Sequence, residues 1–295
     1  MVRRGKLRER SNPIKLRLLR RSFHSLLAMT VERKVSTQSL SSRQRQVCLR
    51  HDTISVEALK LEESLKNIQA RIKSAAERSG RNPDDITIVV VTKTVGLDAL
   101  KALSELGWKD IGENRVQDAL NKAKVLTGNQ FTWHMIGHLQ TNKVKRAIGL
   151  FDYIHSLDSI RLAEEIHKEA QKINKIVKVL IEVNVSAEAS KSGIKPEEVA
   201  DFYKKVKEIV SQGLQGGMII AGLMTMAPIT DNPETVRPYF RRLKELLDEL
   251  RNNSINNSGH PEELKYLSMG MSQDFEVAVE EGANIVRIGS AIFNT

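Results

Sequence analysis

From residue 86 onward, short apolar, β-branched runs alternate with segments of helical period, and the alternation continues to the end of the chain. Nothing else in the sequence constrains the fold as strongly. The first run, Ile88-Val89-Val90-Val91, is apolar throughout, as a strand covered on both faces requires. The pattern predicts strands over 86–91, 109–112, 131–136, 153–155, 177–185, 217–226, 264–267 and 284–288. Helical stretches fall near 97–106, 114–126, 140–149, 158–174, 196–212, 233–251 and 272–281. Ahead of them Val56, Leu59, Leu65, Ile68, Ile72 and Ala75 recur at helical spacing up to Gly80. Pro196 suits a helical first turn, and Asp158 and Ser272 suit N-caps. Eight strands with intervening helices in about 240 residues predict an α/β fold, a single (β/α)8 TIM barrel. A doubly wound sheet is the alternative, because periodicity does not show closure.

Charge separates the chain into two parts. Of the 46 Lys and Arg, fourteen lie in residues 1–51, with only Glu9 and Glu32 opposing them. The remaining 244 residues then carry 32 basic and 34 acidic side chains, so the globular part offers nucleic acid no general attraction. The division expected is a basic extension over 1–51, targeting-like or disordered, and a barrel over 52–295. In the extension Ile14, Leu16, Leu18, Leu19, Phe23, Leu26 and Leu27, interrupted by Lys15, Arg17, Arg20 and Arg21, suit a basic amphipathic helix. That pattern fits a mitochondrial transit peptide, a disordered tail, or a segment read upstream of a start at Met29. A nucleic-acid or membrane arm is a further alternative. No run approaches a membrane span, and Cys48, the single cysteine, excludes a disulfide scaffold and a Cys-based zinc site. A cytoplasmic protein, or a mitochondrial one if the extension is an address, is expected.

In a barrel, chemistry collects where strands run out into the following loops. Those positions hold Thr92-Lys93-Thr94, Gly112-Glu113-Asn114, Gly137-His138, Ser156, Glu182 with Asn184, Met224-Thr225-Met226, Ser268 to Ser272, and Arg287-Ile288-Gly289-Ser290. Lys93 follows an apolar run; burial there would lower its pKa and leave an amine able to attack an aldehyde. A lysine emerging into solvent is the simpler reading of Lys93 alone. The segments Ser268 to Ser272 and Gly289-Ser290 are suited to phosphate, which barrels usually hold at their last two loops. An amine at the first strand and a phosphate cradle at the last two become neighbours on closure. They describe a site for a phosphorylated aldehyde.

The same residues carry a resemblance that spans roughly residues 56–293. Val91-Thr-Lys93-Thr, Gly112-Glu-Asn-Arg-Val-Gln117 and Trp133-His-Met-Ile-Gly-His-Leu-Gln-Thr-Asn-Lys143 are followed by Glu182-Val-Asn-Val and Lys191-Ser-Gly-Ile. Gly222-Leu-Met-Thr-Met, Leu267-Ser-Met-Gly-Met-Ser and Val286-Arg-Ile-Gly-Ser-Ala-Ile-Phe293 complete the series. In these motifs the chain resembles the pyridoxal 5′-phosphate (PLP) homeostasis proteins, the YggS or PROSC family. The resemblance implies a fold-type III barrel like the N-terminal domain of alanine racemase, with PLP held on Lys93 as an internal aldimine. It also implies Ser268, Gly289 and Ser290 at the phosphate, Arg287 beside the pyridine ring, and Asn114 near the cofactor. Met224 is expected to touch the ring. The sequence departs from the family pattern at Thr94-Val95-Gly96 and after Phe293.

Two features favour a cofactor handler over an enzyme. The chain ends soon after the eighth strand, where racemases of this fold carry a second domain. Arg287 beside the ring nitrogen would oppose its protonation and weaken the electron sink. The expectation is a protein that stores or delivers PLP, with PLP and PLP-dependent apo-enzymes as partners, as a monomer or weak dimer. The alternative is a slow, racemase-like PLP enzyme. His134 and His138 have the spacing of a helical metal pair but straddle a strand end, so packing or loop roles are expected. Met218, Met224, Met226, Met269 and Met271 are expected to line the barrel.

Overall fold

The computed structural model describes residues 42–126, 131–186, 188, 192–211, 216–254 and 263–294. The amphipathic segment expected at 14–27 lies outside them. The chain divides at Val56/Glu57, and the unit from Glu57 onward holds every strand among the described residues. They are β1 (Thr87–Val91), β2 (Asp110–Glu113), β3 (Thr132–Met135), β4 (Tyr153–Leu157), β5 (Ile176–Glu182), β6 (Gly217–Met224), β7 (Tyr266–Ser268) and β8 (Ile285–Ile288). All neighbours pair in parallel, and β8 returns to β1 with Val89 opposite Arg287, so the sheet is a closed barrel. The doubly wound alternative is thereby set aside.

The helices are α1 (Ser42–Arg78), α2 (Leu97–Glu105), α3 (Val116–Val125), α4 (Val144–Ile148), α5 (Ile160–Lys172), α6 (Val199–Val210), α7 (Arg237–Ser254), α8 (Phe275–Glu280) and α9 (Ser290–Phe293). Helix α1 begins well ahead of its apolar stripe, through a stretch containing neither Pro nor Gly. Buried side chains of the helices merge with outward residues of the strands, such as Val90, Ile111, Ile181 and Val286, into one apolar shell. Val89, Leu180, Ile219, Ala221 and Ile285 are also buried but stand apart from that shell, inside the barrel. Met218 and Met269 belong to the shell and Met226 is exposed, so these three do not line the interior.

Two caps differ from expectation. Ser159, not Asp158, caps α5 by accepting from the Leu162 N–H at 3.4 Å. Helix α8 starts beyond Asp274 rather than at Ser272, because Asp274 Oδ1 accepts the Met271 N–H and closes a turn first. Both displaced residues are thereby free for the barrel mouth. Among the described residues no helix is long and apolar enough to cross a membrane.

Candidate functional site

With every strand parallel, their C-terminal ends share one mouth, and the residues singled out from the sequence gather there. Register places β2 and β8 on either side of β1, so Lys93, Asn114, Gly289 and Ser290 follow three adjacent strands. On the far side of β8, Met224 pairs with Ser268 across β6 and β7. Gly289 lies hard against β1: a Cβ there would meet Val91 Cβ at 3.1 Å and Val91 O at 3.2 Å. A Cβ at Gly137 would press into the backbone of Asn114, reaching its Cα at 2.8 Å, so the end of β3 backs that residue closely.

Lys93 is exposed, two residues beyond β1, and the burial expected for it is not found. What is buried is its predecessor. Thr92 Oγ1 donates to Glu113 Oε1 at 2.6 Å, while Lys122 Nζ donates to the Thr92 carbonyl at 2.6 Å and to Glu113 Oε1 at 2.7 Å. This buried clamp joins β1, β2 and α3 and fixes the backbone from which Lys93 emerges. The second oxygen, Glu113 Oε2, is buried without a hydrogen-bond partner. A lysine nine residues after a strand-end glutamate is the only trace of the clamp in the sequence.

At the phosphate-suited end the structure separates two serines. Ser268 is fully buried; its Oγ contacts His155 Nδ1 at 2.9 Å and accepts from Arg287 Nη1, inside the barrel. Ser272 is the serine at the mouth, where its Oγ accepts from the N–H groups of Ala291 at 3.2 Å and Gly289 at 3.4 Å. Both amides are thereby engaged by Ser272, whose own hydroxyl hydrogen is left to donate to an anion, on the loop side of the two strands that pair as β7 and β8. Ser290 is exposed at the first turn of α9, and Asn114 is half-buried at the opposite side of β1.

Arg287 is buried in β8 and also donates from Nη2 to the Thr225 carbonyl at 2.9 Å. Burial pulls its pKa down to about 10 against Asp274 and Glu182, so it remains a cation at neutral pH. Glu182, buried at the end of β5, is pushed up to about 7 by desolvation and by Asp158, with Arg287 and His138 opposing. His138 pairs with Asp158 at 3.3 Å across the mouth. His134 instead points into the barrel, so the two histidines do not meet. Among the described residues no group of three or more metal-ligating side chains is found.

The raised carboxyl predicts a pH-dependent gain from Glu182→Gln. Below pH 4.5 both folded and unfolded chains carry this group protonated, and the substitution is close to neutral. Between 4.5 and about 7 the unfolded chain ionises first, so the buried carboxyl costs the native state progressively more. Above 7 the neutral amide removes that cost, with a gain of up to about 3 kcal/mol. Paired urea denaturation of parent and variant at both ends of that range measures it; an equal effect at both ends contradicts the assignment.

Comparison with known proteins gives the same family as the motifs. The family described as alanine racemase, N-terminal domain, matches residues 64–295. The pyridoxal phosphate homeostasis protein of Aquifex aeolicus is 45% identical over 231 residues, covering 78% of this chain and 96% of that one. A structure from Bifidobacterium adolescentis superposes with TM-score 0.70 at 32% identity, covering 81% of this chain and 96% of that chain. PipY of Synechococcus elongatus, in the structure with PLP bound, matches with TM-score 0.62 at 30% identity over 76% of this chain and 99% of that chain. The chain belongs to the pyridoxal phosphate homeostasis protein family, built on the alanine racemase N-terminal-domain barrel.

Proposed function

We propose that this chain binds PLP at the barrel mouth through Lys93 and stores or delivers it, without efficient turnover of its own. One observation carries the reading: an exposed amine follows β1, and the adjacent strand β8 leads into the turn where the Gly289 and Ala291 amides hold the Ser272 hydroxyl. PLP supplies an aldehyde that a neutral amine attacks reversibly with loss of water. The chain's part is to place both ends of such a molecule. The hydroxyls of Ser272, seated on the amides of Gly289 and Ala291, and of Ser290 would hold the phosphate, and Lys93 would meet the aldehyde. Arg287 would stand at the ring nitrogen, and Asn114 and Met224 would flank the ring. Ser268, read from the sequence as a phosphate ligand, acts instead through Arg287.

An exposed lysine suits a handler, because an incoming amine reaches the same carbon and releases the cofactor. PLP-dependent apo-enzymes are the recipients in this reading, with the chain as a monomer or weak dimer in the cytoplasm. Residues 1–51 would add a mitochondrial address, which fluorescent fusions of 1–295 and 52–295 separate. The experiment for the function is titration of the full chain with PLP, then transfer to an apo-enzyme followed by regained activity. Uptake with a visible absorbance band and transfer supports storage and delivery; absence of uptake removes the reading.

Ser272→Ala isolates the phosphate contact. Loss of one charge-assisted hydrogen bond costs about 1.5–3 kcal/mol, so PLP affinity is expected to fall by about tenfold to a hundredfold. Binding of pyridoxal, which has no phosphate, should change little. Equal weakening of both ligands would place the phosphate elsewhere.

A slow racemase-like activity is the second reading, favoured by Glu182, a mouth carboxyl titrating near neutrality. Exchange of the α-proton of amino acids in heavy water distinguishes the two. Exchange above that of free PLP, lost in Glu182→Gln, supports an enzyme.

A further inference from the structure

Inside the barrel five side chains from five strands or strand ends form a continuous hydrogen-bonded chain. Arg287 Nη1 meets Ser268 Oγ, which lies 2.9 Å from His155 Nδ1. His155 Nε2 lies 2.9 Å from His134 Nδ1, and His134 Nε2 lies 3.1 Å from Asp110 Oδ1. Asp110 opens β2 at the opposite mouth of the barrel, where its side chain is a third exposed. Ser268, His155 and His134 are almost wholly excluded from solvent.

The ends fix the direction of every bond. A guanidinium only donates, so Ser268 Oγ accepts from Arg287 and its single hydrogen goes to His155 Nδ1. Desolvation, with Arg287 adding to the effect, holds the His155 pKa well below its ordinary value, so the ring is neutral. It then carries its hydrogen on Nε2 and donates to His134 Nδ1. His134 in turn carries hydrogen on Nε2 and donates to the Asp110 carboxylate. The reverse direction would leave the Ser268 hydrogen without an acceptor in the chain and, with both rings neutral, would set a ring lone pair against a carboxylate.

We propose that His155, His134 and Asp110 are positioning residues that hold the cofactor-facing Arg287 from the far end of the barrel. The PLP reading enters only in what Arg287 faces. Without the chain, the attraction of Asp274 ahead of α8 and Glu182 at the end of β5, which both act on Arg287, would go unopposed. With it, the guanidinium is kept on Ser268 and the Thr225 carbonyl. The far end is itself braced: the His134 ring stacks on Tyr153 at 4.4 Å between centroids, and Lys178 Nζ donates to the Tyr153 hydroxyl at 3.0 Å.

The test begins with the full wild-type chain without cofactor, by ¹⁵N NMR of the imidazoles. Both His155 and His134 are expected as Nε2–H tautomers; a Nδ1–H tautomer at His155 overturns the proposal, whether or not any variant folds. Asp110→Ala should then shift the guanidinium resonances of Arg287, which Asp110 does not touch, and Asp110→Glu should restore them. In a Ser268→Ala background the same Asp110→Ala change should have no effect, since the link is cut. Unchanged Arg287 resonances in Asp110→Ala also overturn it. In PLP-loaded protein, the pH midpoint of the visible band should move in Asp110→Ala and return in Asp110→Glu. A chain that shows these tautomers and shifts but takes up no PLP retains this proposal and removes the cofactor reading.

Discussion

Gly222→Ala is expected to leave little or no folded barrel. Gly222 pairs with Tyr266 where β6 meets β7, and a Cβ built there lands on the Tyr266 carbonyl oxygen, with its C at 2.7 Å and N at 2.8 Å. These are backbone atoms of the shortest strand, so no side-chain rotation relieves the overlap. The seam must open, and an opened seam exposes strand edges that closure otherwise removes. A cost of at least about 3 kcal/mol follows, a large share of the roughly 5–15 kcal/mol that holds a domain together. Thermal and urea unfolding of parent and variant measure it. A variant melting within a few degrees of the parent contradicts the close approach of β6 and β7.

The second large effect concerns chemistry rather than folding. Lys93→Ala removes an exposed side chain beyond β1, so stability should be almost unchanged. Covalent attachment of PLP should vanish entirely, with loss of the visible band and of any borohydride-fixed product. Phosphate-directed binding through the hydroxyls of Ser272 and Ser290 should survive in weakened form. Equilibrium dialysis beside absorbance separates the two. A persistent fixed adduct in the variant would mean that another lysine carries the aldehyde.

The strands were legible because continuous apolar runs mark sheets buried on both faces, and β1 is the plainest case. Closure was not legible from periodicity, yet residues at the ends of β1, β7 and β8 made chemical sense only as neighbours. The division of labour between Ser268 and Ser272 escaped sequence reasoning. Ser268 is the last residue of β7 and its strand register turns it inward, whereas Ser272 lies beyond the strand, next to the turn that Asp274 closes. The burial expected at Lys93 failed because an apolar strand predicts where its own residues go, not those two positions past its end. The interior chain was hidden for another reason. Its bonds join residues 24, 21, 113 and 19 positions apart, on strands brought together only by the closed barrel. His134 and His138 drew attention for a helical spacing that a strand end does not have.

The central claim is that Lys93 is the point of attachment. Its most direct measurement is borohydride reduction of the PLP-loaded full chain, followed by digestion and mass spectrometry of the peptides. The account predicts a phosphopyridoxyl group on the peptide containing Lys93 and on no other lysine at equimolar PLP. Label on a different lysine, or no label on a chain that is folded and saturated with PLP, would contradict it.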